Sequence, residues 1–413
     1  MALKSQQSSS SSDNYLFSPI GILILLIVLI CVIGIFHFVR NHPQIEAKPS
    51  TATITLPGQF AVTFPQQGQS AVGTDNLGVI ASSPDQTPVP IASVTKIMTA
   101  YLVLQAHPLK PGEVGPTLTM TAEDAENYKN DLALDYSVMA VKEGEQLTEK
   151  QLLEALLLPS ADNIATNLAR WVAGSDDAFI AKMNETAQSL GMTSTHYADV
   201  SGVSDATVSS AVDQIKIAQV AMQDPTFREI ISMEQANFQT AGTIYNVDNM
   251  LGQHGIVGIK TGSTLAAGGC FISATPVAVG TEKHYIIGAV LGQKTAQSLQ
   301  SALDANAQIL DQVRSQIKLY PLPLSANGYG QIIAPWDSNS ALNSDKPVQI
   351  WGYPGMTASL SLDVEATQLP IPNGSNIATL KVQSGQSVQQ IPLQNSEQIN
   401  PPSFLWRLFR NWI

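Results

Sequence analysis

The chain has 413 residues, enough for two domains of about 100–200 residues with a sizeable core. Hydrophobic residues make up 44% and charged residues 13%, about half the usual ~25%, so an apolar core under a polar rather than ionic surface is expected and wholesale disorder is excluded. Lys+Arg 21 against Asp+Glu 33 gives a net charge of -12, which argues against a nucleic-acid partner, and two cysteines, Cys31 and Cys270, exclude a disulfide scaffold and a cysteine-based zinc site.

Residues 1–19 form a polar tail with the Ser-rich stretch 5–12. Residues 20–36 read IGILILLIVLICVIGIF, and only His37 interrupts the run to Val39. At about 1.5 Å rise per residue, 20–39 spans the ~30 Å hydrocarbon layer. A core helix does not fit beside such a tail. A cleaved signal peptide needs a shorter apolar run with small residues behind it, where this chain has His37, Phe38, Val39, Arg40 and Asn41. An uncleaved anchor is therefore expected. Lys4 on one side and Arg40 and Lys48 on the other leave its orientation undecided by charge.

Residues 40–55, rich in Pro, Thr and Ala, read as a linker, and alternating strand and helix patterns over 56–317 read as one α/β or α+β domain. Thr148-x-x-Gln151 is a capping-box pattern opening a helix with Leu152, Leu153, Leu156 and Leu157. Residues 177–190 form a second helix stopped by Gly191. Residues 256–261, 269–275 and 284–291 read as strands, and 295–317 as an amphipathic helix with Leu299, Leu303, Leu310, Val313 and Ile317 near one face. Short alternating runs punctuated by Pro and Gly predict a small all-β domain over 318–400. Within 401–413, Ser403 is a candidate N-cap, and Phe404, Leu405, Leu408, Phe409 and Trp412 form one apolar face opposite Arg407 and Arg410. This suits either a helix lying in a membrane interface or one docked on the chain's own domain.

None of the six histidines forms an H-E-x-x-H, so a zinc peptidase is disfavoured and neither metal nor cofactor is expected. Three short motifs carry the chemistry. Ser93-Val94-Thr95-Lys96 opens an apolar helix pattern, where positions i and i+3 share a face and bring a hydroxyl within reach of an amine. A free lysine keeps its proton to about 10.4, so burial or a second cation is needed before it can act as a base. Ser160-Ala161-Asp162-Asn163 follows the leucine-rich helix, and Lys260-Thr261-Gly262 lies in the strand context GIVGIKTGS. There Lys260 supplies a second positive charge, Thr261 can hold a carboxylate, and Gly262 leaves room for substrate backbone. Each fragment alone is common; the ordered triple is not.

With these motifs the chain resembles the serine-type D-alanyl-D-alanine carboxypeptidases, the low-molecular-mass penicillin-binding proteins. GEQLTEKQLLEALLLPSADNIA, FIAKMNETAQSLGMTSTHYADVSG and GIVGIKTGSTLAAGGCFISA carry the likeness over about 55–317, and PIPNGSNIATLKVQSGQSVQQIPL is similar to the family's C-terminal domain. The resemblance implies a serine β-lactamase/transpeptidase-like α/β (α+β) catalytic domain with an antiparallel sheet and helical subdomain, then a small all-β domain. It implies Ser93 as nucleophile, Lys96 as general base, Ser160 as proton relay, and Lys260, Thr261, Gly262 and Ser263 as substrate-binding residues. The N–H groups of Ser93 and Ser263 would form the oxyanion hole. The implied partners are peptidoglycan stem peptides ending in D-Ala-D-Ala, β-lactams as acylating inhibitors, and the membrane. The implied location is the bacterial cell membrane, with 1–19 cytoplasmic and the catalytic domain outside.

The second motif departs from the family's usual Ser-Gly-Asn followed by Asp, because Asp162 and Asn163 are exchanged. In the simple register Asp162 fills the amide position, cannot donate to a substrate carbonyl, and favours protonated Lys96. A local shift would bring Asn163 into the site instead. This second register is preferred slightly, since it keeps a donor and hides no extra charge. A D,D-endopeptidase and a non-catalytic penicillin-sensing or wall-binding protein are the competing functions. A class A β-lactamase is disfavoured, because His196 stands where such enzymes carry their deacylation Glu and Glu185 lacks the E-x-x-x-N setting.

Overall fold

The computed structural model describes residues 19–39, 44–365, 368–385 and 387–410. The expected cytoplasmic tail, apart from Pro19, and Trp412 lie outside them.

An antiparallel five-stranded sheet forms the centre. Its order is Ile259–Thr264, Gly268–Val279, Glu282–Gln293, Gln69–Thr74, Gly78–Ser82. The three strands read from the sequence are its first three, although the first begins three residues later than expected. Gly258, at φ +118 and packed so closely on Ile231 that a β-carbon would sit 2.9 Å from its side chain, delays the start. The middle strands are buried on both faces and read as apolar runs, as strands covered on both sides do.

Helix Ser298–Arg314 covers one face, with Leu303, Leu310 and Val313 buried as their spacing predicts. Asn306 locks it to the sheet, accepting from Ser273 Oγ at 2.7 Å and donating to the Phe271 carbonyl at 2.9 Å. Helix Ala211–Ala221 packs on the other face. Beyond it lies a helical layer that includes Lys96–Ala106, Glu149–Leu157, Asp162–Ala173 and Asp176–Ser189. The capping box forms: Gln151 N–H donates to Thr148 Oγ1 at 3.3 Å and Thr148 N–H to Gln151 Oε1 at 3.0 Å.

The segment read as a linker, 40–55, carries two strands among its described residues, 44–55. Glu46–Pro49 pairs antiparallel with Gly330–Ile333, and Thr53–Thr55 pairs with Thr357–Val364. The two form opposite edges of a seven-stranded sheet otherwise built from the C-terminal region. Neither EAKP nor TIT shows alternation long enough to be legible, and their partners lie about 300 residues away in sequence.

Helix Pro19–Val39 contains an 18-residue window, residues 19–36, that is long and apolar enough to cross a membrane and has none of its residues buried, as a membrane anchor or a signal sequence would have. The terminal helix Phe404–Phe409 lies against it and is capped by Ser403, whose Oγ accepts from Trp406 N at 3.2 Å. Trp406 meets Trp336 of the β domain edge-on at 5.7 Å, while Phe404, Leu405 and Phe409 stay exposed. Docking and an exposed apolar face thus coexist on this helix.

Candidate active site

Ser93 sits in the 3-10 turn Ala92–Thr95, which runs straight into helix Lys96–Ala106. The turn is forced. Ala92 has φ 49, and Thr95 Oγ1 donates to its carbonyl at 2.8 Å. Gly202, at φ +88, packs so closely on that carbonyl that no β-carbon fits. A left-handed alanine persists only where its surroundings over-determine it, a condition that recurs at functional sites.

Continuation into the helix brings Lys96 Nζ to 3.0 Å from Ser93 Oγ. Lys96 is fully buried, and its other two contacts are Asp162 Oδ1 at 2.6 Å and the Ser201 carbonyl oxygen at 2.9 Å. An ionised carboxylate and a carbonyl only accept, so both consume N–H bonds. In the neutral amine the remaining position is the lone pair, and the remaining neighbour is the Ser93 hydroxyl. The loop carrying Ser201 is fixed by Asp199, whose Oδ2 accepts from the N–H groups of Gly202 at 2.7 Å and Val203 at 2.8 Å, and by Thr99 Oγ1, which donates to the Val200 carbonyl at 2.6 Å.

Ser160 occupies the tight connection between helices Glu149–Leu157 and Asp162–Ala173, at φ 69. It is buried, and its Oγ has no hydrogen-bond partner. The expected register of the second motif is corrected here: Asp162, not Asn163, faces Lys96. Asn163 turns away and clips residue 139, accepting from Met139 N–H at 3.1 Å and donating to the Met139 carbonyl at 3.0 Å. The two are consecutive helical residues, so only one can point at the cleft. The objection that Asp162 would hide a charge fails because Lys96 pairs with it. Neither residue caps the helix, whose N-cap is Ala161.

Lys260 is buried on the edge strand Ile259–Thr264, and its Nζ donates to the Thr261 carbonyl at 3.1 Å. Burial, and then the charge of Lys96, push Lys260 down to about 7 against the opposing pull of Asp162 and Asp248. Gly262 passes so close to the nucleophile that a β-carbon would lie 2.8 Å from Ser93 N. Thr261 is buried and Ser263 exposed. Neither Ser160 Oγ nor Ser263 hydrogen-bonds to Ser93 or Lys96 among the described residues.

Two participants were not visible in the sequence. The Ser201 carbonyl is backbone, for which no side-chain signal exists. Asp248 lies in the turn 246–250, where Asp248 Oδ1 accepts from Met250 N–H at 2.9 Å; burial raises it to about 6 while Lys260 pulls it down. Beside Asp162 opens a cleft of about 310 Å3 lined by Asp131, Tyr136, Thr166, Asp199 and Ser201 among others. Burial, and then the Asp162 charge, raise Asp131.

A serine hydroxyl, a buried amine aimed at it, and a second buried lysine on an adjacent strand suit acyl transfer. The family model described as D-alanyl-D-alanine carboxypeptidase matches residues 67–295, more than half of the chain. The chain is 28% identical over 334 residues to D-alanyl-D-alanine carboxypeptidase DacA of Escherichia coli, covering 77% of this chain and 79% of that protein. It is 32% identical over 217 residues to DacB2 of Mycobacterium tuberculosis, covering 51% and 70%. A Streptomyces DD-transpeptidase structure superposes with a TM-score of 0.52 at 26% identity, over 61% of this chain and 98% of that one. The structure of a peptidoglycan synthesis regulatory factor (PBP3) from Streptococcus pneumoniae shares the fold, with a TM-score of 0.61 at 20% identity over 82% and 100%. The chain therefore belongs to the D-alanyl-D-alanine carboxypeptidase family, as a serine-type enzyme with the DD-peptidase fold.

Proposed function

We propose that Ser93 attacks the carbonyl of the terminal D-Ala-D-Ala bond of a peptidoglycan stem peptide. As the Oγ–C bond forms, the Ser93 proton passes to the Lys96 lone pair and the carbonyl π electrons move to oxygen, where the Ser93 and Ser263 N–H groups receive them. Collapse of this intermediate breaks the C–N bond. Ser160 relays the proton from Lys96 to the nitrogen of the leaving D-alanine, so Lys96 is neutral again and an acyl-enzyme remains. Lys96 then takes a proton from water as the water oxygen bonds to the acyl carbon, and returns it to Ser93 Oγ as the Oγ–C bond breaks and the shortened peptide leaves. Lys260 and Thr261 receive the substrate carboxylate. β-Lactams acylate Ser93 by the same route. The observation that carries this reading is the contact set of Lys96, with two obligate acceptors and the Ser93 hydroxyl as its third neighbour.

Residues 20–39 act as the anchor, with the catalytic domain outside the cell membrane. The test uses the full chain in detergent with a fluorescent penicillin and an acylated Lys-D-Ala-D-Ala peptide. Label lost in Ser93→Ala together with released D-alanine supports the enzyme. Label without D-alanine points to a penicillin sensor, and the absence of both label and D-alanine refutes the site.

A further inference from the structure

Asp162 is buried, and one of its oxygens lies 2.6 Å from Lys96 Nζ. An amide in the same place could accept the same hydrogen bond, so the carboxylate adds a full negative charge rather than a new contact. We propose that Asp162 is a positioning residue that couples acylation to pH: it holds Lys96 as the ammonium at low pH, and at high pH it stabilises the ammonium that re-forms when Lys96 takes the Ser93 proton. This rests on the reading of Lys96 as base.

The two effects have opposite signs, and each follows from where the charge sits in the reaction. Before the reaction, Lys96 must lose a proton beside an anion, and an opposite charge at contact opposes that loss. During the reaction the Ser93 proton moves to Lys96 Nζ, and Asp162 then faces a newly formed cation. Hydrogen bonds between charged groups are stronger than neutral ones, so this interaction grows towards the transition state, where it lowers the barrier. The Ser201 carbonyl, at 2.9 Å, contributes a dipole but no charge and holds the amine in the same orientation throughout.

Other charged groups face the pair. Lys260 approaches from the edge strand, and Asp248, from the turn before it, acts on Lys260. Asp131 comes from helix Ala122–Ala133, and Asp199 from the loop that carries Ser201. Burial brings Lys260 to about 7, so it changes charge within the pH range of the experiment below. A single pH profile therefore cannot be assigned to Lys96. All four groups are retained when position 162 alone is changed, so the difference between two profiles is the effect of Asp162 on Lys96 together with its smaller pull on Lys260.

The experiment compares the second-order rate of fluorescent-penicillin acylation in the full chain and in Asp162→Asn, in detergent, from pH 5 to 10. The wild-type rate rises with pH. In the variant the rise should occur at lower pH, by about one unit or more. Its high-pH plateau should fall by about fivefold or more, so the two curves cross. Asp162→Glu should return the midpoint towards wild type. A midpoint that does not move to lower pH, or a plateau that does not fall, overturns the proposal, because a merely structural role lowers the rate at every pH without moving the midpoint. Should Asp162→Asn fail to fold, Asp162→Ser keeps a small acceptor and carries the same two expectations. If the wild-type chain takes no label at any pH, the reading of Ser93 and Lys96 fails; if it takes label and the profiles coincide, only this inference fails.

Discussion

Two buried ionisable groups mark opposite relations between burial and pH at the residue scale. Lys260 sits near 7 rather than 10.5, so between those values the unfolded chain binds the extra proton and stability rises with pH. Its burial costs stability most below pH 7. Lys260→Met should therefore raise the melting temperature at pH 6 more than at pH 9 while acylation falls; a lower melting temperature at pH 6 would show that the lysine holds the fold together. Glu149 is the reverse. Both its carboxylate oxygens are buried without a partner, and burial raises it from 4.5 to about 7. The folded chain binds the extra proton in that window, so stability falls as pH climbs through it. Glu149→Gln should stabilise the protein at pH 8 and change little at pH 4, as read by thermal unfolding at the two values. The exchanged pair Asp162 and Asn163 shows what residue-level reading misses. Both identities were plain, but which one faces Lys96 depends on the helix phase set by the left-handed turn at Ser160, and no local pattern encodes that phase.

Among elements, the S-x-x-K motif was legible because its geometry is local: a helical turn brings i and i+3 together whatever else the chain does. The same holds for the capping box at Thr148 and for the helix Ser298–Arg314, whose apolar spacing named its buried face. The edge strand was legible as a strand and Gly262 as the residue that leaves room beside it, yet its closeness to Ser93 N was not. Its missing side chain leaves space beside Ser93 N, where the oxyanion of the proposed reaction would bind. Gly262→Ala should cut acylation about 100- to 1,000-fold, the range for losing one oxyanion-hole donor, with a smaller effect on thermal unfolding. Acylation within a fewfold of wild type would mean that the strand does not border the reacting carbonyl.

The whole molecule is joined by contacts that sequence reading could not supply. The far face of the central sheet, helix Ser298–Arg314 and the C-terminal β sheet share one apolar cluster, running through Phe271, Leu310, Ile332 and Leu380. His284 of the central sheet stacks on Trp351 of the β domain at 4.5 Å. The N-terminal strands seal both edges of the β sheet, so residues 46–55 are part of the β domain rather than a tether. Ile54, half-buried opposite Ala358, tests this. Ile54→Asp should cost roughly 1–3 kcal/mol of stability and leave penicillin acylation unchanged, whereas a free linker would tolerate it without loss.

The central claim is that Lys96 acts as the base for Ser93, and Lys96→Arg tests it most directly. Arginine keeps a cation for Asp162 but does not give up its proton. Peptide mapping after benzylpenicillin treatment of the full chain should place the adduct on Ser93 in the wild type, and the arginine variant, still folded, should acylate about 100- to 10,000-fold more slowly. An adduct on another residue, or undiminished acylation in Lys96→Arg, would contradict the account.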